Sequence, residues 1–117
     1  MADVRILHNP NCSTSRHAVE TAERLGVDLD IELYLKTKPG RDELLELIAQ
    51  LEDDPADLVR KDSYFTDQGF DAGDYTTPEA VADLIAAHPR LLQRPVIVRD
   101  GKAIIGRPKD RVEPFLS

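Results

Sequence analysis

The apolar positions of this chain change period several times along its length. Val4 and Ile6 alternate with polar neighbours and His8 continues the same face, which predicts a short strand over residues 4–8. The following "NPNCSTS" is rich in turn and capping residues. Ala18, Val19, Ala22 and Leu25 then recur at helical spacing until Gly26 stops the run. A second alternation, Ile31 to Leu35, predicts a second strand. After Lys38-Pro39-Gly40, residues Leu44, Leu45, Leu47, Ile48 and Leu51 predict an amphipathic helix that ends at Asp53-Asp54-Pro55. Ala56, Leu58 and Val59 suggest one or two further helical turns before Arg60-Lys61. Asp62 to Tyr75 is polar, contains Gly69 and Gly73, and reads as loop. Thr76-Thr77-Pro78-Glu79 opens another helix, with Thr as cap and Pro in the first turn. Val81, Leu84 and Ile85 form its buried face and His88-Pro89 closes it. Val96–Val98 and Ala103–Ile105 flank Asp100-Gly101, a favoured two-residue hairpin turn. Val112, Phe115 and Leu116 suggest a short last helix, against which Pro114 counts.

The order is βαβ, then helices, then a β-hairpin and a terminal helix. Two strands joined by a helix are most simply a parallel, right-handed crossover unit. The whole fits a thioredoxin-like α/β fold: a four-stranded mixed sheet, with a helical insertion at about residues 41–90 between its two halves. No repeat, low-complexity segment or linker interrupts it, so residues 1–117 read as one domain.

The composition narrows the function classes. Hydrophobic content is 41% and charged content 32%, ordinary for a globular protein. No apolar run approaches the ~18 residues that would span a bilayer, so no membrane association is expected. The start lacks the apolar core of a secretory signal, and a single cysteine cannot close an internal disulfide. Both features favour the cytoplasm. A net charge of −7 argues against nucleic acid as a partner and means that any anion site must be built from locally gathered arginines.

That single cysteine, Cys12, falls in the turn between the first strand and the first helix. Free cysteines are often buried hydrophobes, but the first amides of a helix have no intrahelical partner and the dipole there is positive. A thiolate at that point is stabilised, which makes Cys12 a candidate nucleophile. Ser13, Thr14 and Ser15 are small enough for their amides to wrap an anion, and the Ser15 hydroxyl could donate to the sulfur. His8 could sit beneath the turn and tune the thiol, or be a satisfied strand histidine. A His8–Cys12 metal site is not expected, because no second ligand cluster appears. Nor is a tightly bound cofactor, since there is no glycine-rich phosphate loop. Ser15 stands where thioredoxin-type oxidoreductases carry a second, resolving cysteine. Redox turnover at Cys12 would therefore need a thiol from outside.

Three arginines stand out by context. Arg60 follows the apolar "ADLV", and Arg94 and Arg107 each precede a proline, which holds them in extended geometry. Arg94 enters the hairpin and Arg107 leaves it. The ends of a two-residue hairpin come together, so the two guanidinium groups can converge on a tetrahedral oxyanion.

"HNPNCSTSR", "LVRK" at 58–61, "HPRLLQRPVIV" at 88–98 and "GRP" at 106–108 together resemble the glutaredoxin-coupled arsenate reductases of the thioredoxin-like superfamily. "YLKTKPGRDELLELI" fits the same family, so the resemblance covers essentially the whole chain. It implies that Cys12 is the nucleophile, that His8 and Ser15 assist its ionisation, and that Arg60, Arg94 and Arg107 bind the substrate oxyanion. Pro95 matches the cis-proline position of these folds. The implied substrate is arsenate, with glutathione as co-substrate, glutaredoxin as partner and no bound cofactor. Arg16 lies in the motif without an assigned contact, and nothing functional maps onto Ser63 to Tyr75.

Three other readings share the fold. A thiol-dependent reductase with another substrate would have no need of three converging arginines. A polymerase-binding regulator similar to the Spx branch would typically carry Cys-x-x-Cys, from which Cys12-x-x-Ser15 departs. A relative that has lost arsenate chemistry would keep a similar motif.

Overall fold

The computed structural model describes residues 3–117. Four strands form one mixed sheet in the order β2-β1-β3-β4. β1 (Val4–Leu7) pairs in parallel with β2 (Leu29–Glu32) and antiparallel with β3 (Val96–Arg99), which pairs antiparallel with β4 (Lys102–Ile105). α1 (Ser13–Arg24) makes the crossover from β1 to β2. α2 (Tyr34–Thr37), α3 (Arg41–Gln50), α4 (Ser63–Asp67) and α5 (Pro78–Ala87) follow before the hairpin, and α6 (Val112–Leu116) ends the chain.

Strand alternation divides the core between the two faces of the sheet. Val4, Ile6, Ile97 and Ile104 pack with Ala18 and Ala22 of α1 and with Val112 and Leu116 of α6. Leu7, Val96, Ala103 and Ile105 point the other way, onto Leu44, Leu47 and Ile48 of α3 and Val81, Leu84 and Ile85 of α5. The apolar periods of α1, α3 and α5 mark these faces in the sequence. Pro114 is tolerated in α6 because it lies within the first turn, where its missing N–H would have no intrahelical partner. The hairpin turns on Asp100 (φ 53°) and Gly101 (φ 76°), both in the left-handed region that a type I′ turn requires. Gly106 leaves it in a tight space: a Cβ there would stand 2.7 Å from Pro95 Cγ.

The structure departs from the sequence reading in the middle of the chain. β2 covers Leu29–Glu32 instead of 31–35, and Tyr34 and Leu35 belong to α2. The parallel register sets Ile31 opposite Ile6 and Glu32 opposite Leu7, and Glu32 forms an ion pair with Arg5. β2 is an edge strand with Ile31 41% exposed, so its own apolar alternation did not fix its limits. The turn at Pro55–Leu58 is 3₁₀. Nor is the 62–75 segment only loop: Asp62 caps α4 by accepting from the Phe65 amide at 3.2 Å. Phe65, Phe70 and Tyr75 then pack edge-on or tilted at centroid distances of 5.6–5.9 Å, and Phe70 also meets His88. Three aromatics without strand or helix spacing carry no periodic signal, which is why their shared cluster was not legible.

Candidate active site

Cys12 is the N-cap of α1, extended at φ −105° and ψ 122°. Its amide donates to Asn9 O at 3.0 Å and its carbonyl accepts from the Arg16 amide at 2.9 Å, so backbone bonds on both sides fix the turn that presents the sulfur. The thiol is partly exposed. No side-chain cap bond of closed geometry forms, but the Thr14 and Ser15 amides lie close enough to favour the thiolate. Partial burial pushes the thiol up. The Ser15 amide, the Arg94 side chain, the Arg107 charge and the Thr14 amide outweigh burial and hold its pKa below the ordinary value.

Arg107 reaches this sulfur from the end of β4. Its Nη2 lies 3.3 Å from Cys12 Sγ while its Nε donates to Arg94 O at 2.7 Å. Two bonds from one planar group fix its direction. The hairpin thus brings Arg94 and Arg107 to the same thiol, as their flanking positions predicted. Both Arg94-Pro95 and Arg107-Pro108 are cis. Arg111 and Asp53 hold the segment behind Arg107. Arg111 Nη2 meets Asp53 Oδ1 at 2.9 Å, Arg111 Nη1 donates to Ile105 O at 3.0 Å, and Asp53 Oδ2 accepts from the Ile105 amide at 2.9 Å.

Arg60 arrives by a different route. Val59 bridges Leu92, the Arg60 amide donates to Leu91 O at 2.7 Å, and the Gln93 amide donates to Leu58 O at 2.7 Å. This short antiparallel pairing lays residue 60 beside the entry to β3. Arg60 and Arg94 then line a cavity of about 260 Å³ with Asn9, Tyr34, Leu35 and Arg90. Arg94 therefore faces both the cavity and the sulfur, whereas Arg60 reaches the site through the cavity. Arg60 Nε also lies 3.5 Å from Asp62, and the Arg90 guanidinium sits 4.0 Å over the Tyr64 ring.

His8 and Ser15 meet beneath the cysteine. Ser15 is fully buried, and its Oγ accepts from the Asn9 amide at 3.0 Å and lies 2.6 Å from His8 Nδ1. Since Oγ already accepts one hydrogen bond, its own proton can go to an unprotonated Nδ1. This matches the histidine: burial, and then the Arg16 charge, hold its pKa below the usual imidazole value. The expectation that the Ser15 hydroxyl donates to the sulfur is corrected here: that hydroxyl serves His8, and Ser15 acts on the thiol through its amide. Arg16 Nη1 donates to Pro10 O at 2.8 Å across the turn.

Several participants escaped the sequence reading. Asn9 reads as turn and Tyr34 as strand, and Arg90 lies just past the predicted helix end at His88-Pro89. Only Arg90 had a usable signal, its place in "HPRLLQRP", four residues before Arg94.

A mixed sheet of this order, with a partly exposed cysteine capping the helix after β1, defines a thioredoxin-like protein. The ArsC family model matches residues 7–115, and the chain belongs to the ArsC family. It is 36% identical over 118 residues to an arsenate reductase of Neisseria meningitidis, covering 99% of this chain and 100% of that protein. It is likewise 36% identical to an arsenate reductase of Escherichia coli, covering 99% of this chain and 82% of the relative. The arsenate reductase from Vibrio cholerae superposes with a TM-score of 0.85 at 32% identity, covering 98% of both chains. Among the described residues no helix is long and apolar enough to cross a membrane.

Proposed function

We propose that this chain reduces arsenate to arsenite, with Cys12 as nucleophile and with glutathione and glutaredoxin as external reductants. The observation that carries this reading is Arg107 Nη2 at 3.3 Å from Cys12 Sγ, with Arg94 alongside. Guanidinium groups there lower the thiol pKa and also offer paired donors to a tetrahedral oxyanion above the sulfur. Near-full-length similarity to proteins named arsenate reductase supports the substrate.

The chemistry follows from those groups. The Cys12 thiolate attacks arsenic(V), an S–As bond forms, and one arsenate oxygen takes a proton and leaves as water. Arg60, Arg94 and Arg107 balance the charge on the remaining oxygens. Glutathione condenses on the same arsenic with loss of a second water. A glutaredoxin thiolate then attacks the glutathione sulfur. The As–S bond breaks with its electron pair moving to arsenic, which becomes arsenic(III), and the two sulfurs form a mixed disulfide. Hydrolysis of the remaining Cys12–arsenic(III) bond releases arsenite and restores the thiolate. Ser15, in the position of a resolving thiol, supports external reductants, and the scheme suits a reducing compartment such as the cytoplasm. His8 and Ser15 hold the cysteine turn from below and so assist its ionisation.

The test is arsenate-dependent oxidation of NADPH in the presence of glutathione, glutaredoxin and glutathione reductase. Wild type turns over and Cys12→Ser does not. Full activity in Cys12→Ser would remove the nucleophile, and wild type inactive with every small-thiol system would remove the substrate. A thiol reductase of other specificity would instead turn over disulfides and ignore arsenate.

A further inference from the structure

The cavity beside Cys12 contains a group that the proposed chemistry does not use. Tyr34 is 0% exposed, and its hydroxyl makes no hydrogen bond of closed geometry among the described residues; the donor groups of Asn9 and Arg94 lie beside it, which leaves its own proton without an acceptor. A second buried donor, Arg94 Nε, is in the same condition. Both residues line the cavity whose other walls are Asn9, Leu35, Arg60 and Arg90. Three guanidinium groups and no carboxylate face that space, so it selects an anion rich in acceptor oxygens. A buried hydroxyl or N–H left unpaired is costly, and a ligand oxygen would relieve it. Arg94 is common to this cavity and to the surroundings of the Cys12 sulfur. Burial pushes the Tyr34 hydroxyl pKa up and the Cys12 charge adds to the rise, while the Arg94 charge and the neighbouring Asn9 and Arg94 donors oppose it.

We propose that Tyr34 is an oxyanion-binding residue: its hydroxyl donates a hydrogen bond to a tetrahedral oxyanion seated against Arg94, Arg60 and Arg90. α2 makes this donor available, since Tyr34 is the first residue of that helix and turns inward where a continued β2 would have carried it along the sheet edge. The inference rests on reading the site as an oxyanion site, but not on which oxyanion is reduced.

Tyr34→Phe keeps the ring and removes only the hydroxyl. The experiment measures sulfate, phosphate and arsenate binding to wild type and Tyr34→Phe by isothermal titration, together with thermal unfolding without ligand. Expected is a fall in oxyanion affinity of about tenfold, as for one hydrogen bond to a charged acceptor. Unfolding of the ligand-free variant should be unchanged or shifted upward, because an unpaired buried hydroxyl has gone. A merely structural tyrosine would give the reverse: lower stability and the same affinity. Equal binding by the two proteins, strong or undetectable, overturns the proposal. Weaker sulfate and phosphate binding in the variant, beside a wild type that never reduces arsenate, supports the tyrosine while sinking the arsenate reading.

Discussion

Replacing Arg107 with methionine tests how the thiol is activated. The side chain keeps its length and loses its charge, its 3.3 Å contact to Cys12 Sγ and its 2.7 Å bond to Arg94 O. A hydrogen bond to a charged acceptor contributes about 1.5–3 kcal/mol. Both partners are partly exposed, so solvent screening reduces this to about 1–1.5 kcal/mol. That corresponds to roughly a tenfold smaller thiolate fraction at any pH well below the midpoint. A more basic thiolate is intrinsically more nucleophilic, with a Brønsted coefficient of about 0.4–0.5. The alkylation rate at low pH should therefore drop only about threefold, while the plateau rate at high pH rises about threefold. Iodoacetamide kinetics across pH, with thiolate absorbance followed in parallel, read both limbs. Arg107→Lys keeps the charge but cannot hold both contacts, and should fall between. An unmoved midpoint would refute the claim that Arg107 activates the thiol. A uniform rate change at all pH values would point to altered access instead.

Cys12 in the wild-type protein should titrate below a free cysteine, so alkylation rises with pH from an earlier onset; a midpoint at or above the free value would remove helix-terminus activation. Asp53→Ala breaks the ion pair to Arg111 and frees the Ile105 amide, and should cost about 1–2 kcal/mol, seen as a Tm lower by about 4–8 °C. It should also raise KM for the oxyanion, because the segment carrying Arg107 loosens. Ser15→Ala strips partners from His8 Nδ1 and the Asn9 amide, and denaturant unfolding should register a loss of about 1–3 kcal/mol. Gly106→Ala places a Cβ against Pro95, Ile97 and Val112 and should destabilise by about 1–3 kcal/mol in the same assay.

The sequence by itself determined what local physics controls. The helix periods gave the faces that α1, α3 and α5 bury, and Asp100-Gly101 gave the hairpin, because left-handed geometry admits few residues. The place of Cys12 followed from cap chemistry, and the meeting of Arg94 with Arg107 followed from their positions at the two ends of one tight hairpin. The tertiary structure decided what depends on distant partners. β2 took its limits from the register against β1, since an edge strand with an exposed apolar residue carries a weak pattern. Arg60 was placed by a two-stranded pairing across more than thirty residues, in which backbone groups of 58–60 satisfy those of 91–93. The buried Ser15 hydroxyl pairs with His8 because its oxygen already accepts from the Asn9 amide and the imidazole is the acceptor within reach, and Tyr34 turns inward because α2 begins where the strand pattern of the sequence continues. Helix caps and hairpin turns are closed within a few residues and leave a local signature. Buried polar groups are matched across the fold, and their partners are fixed only when the chain has packed.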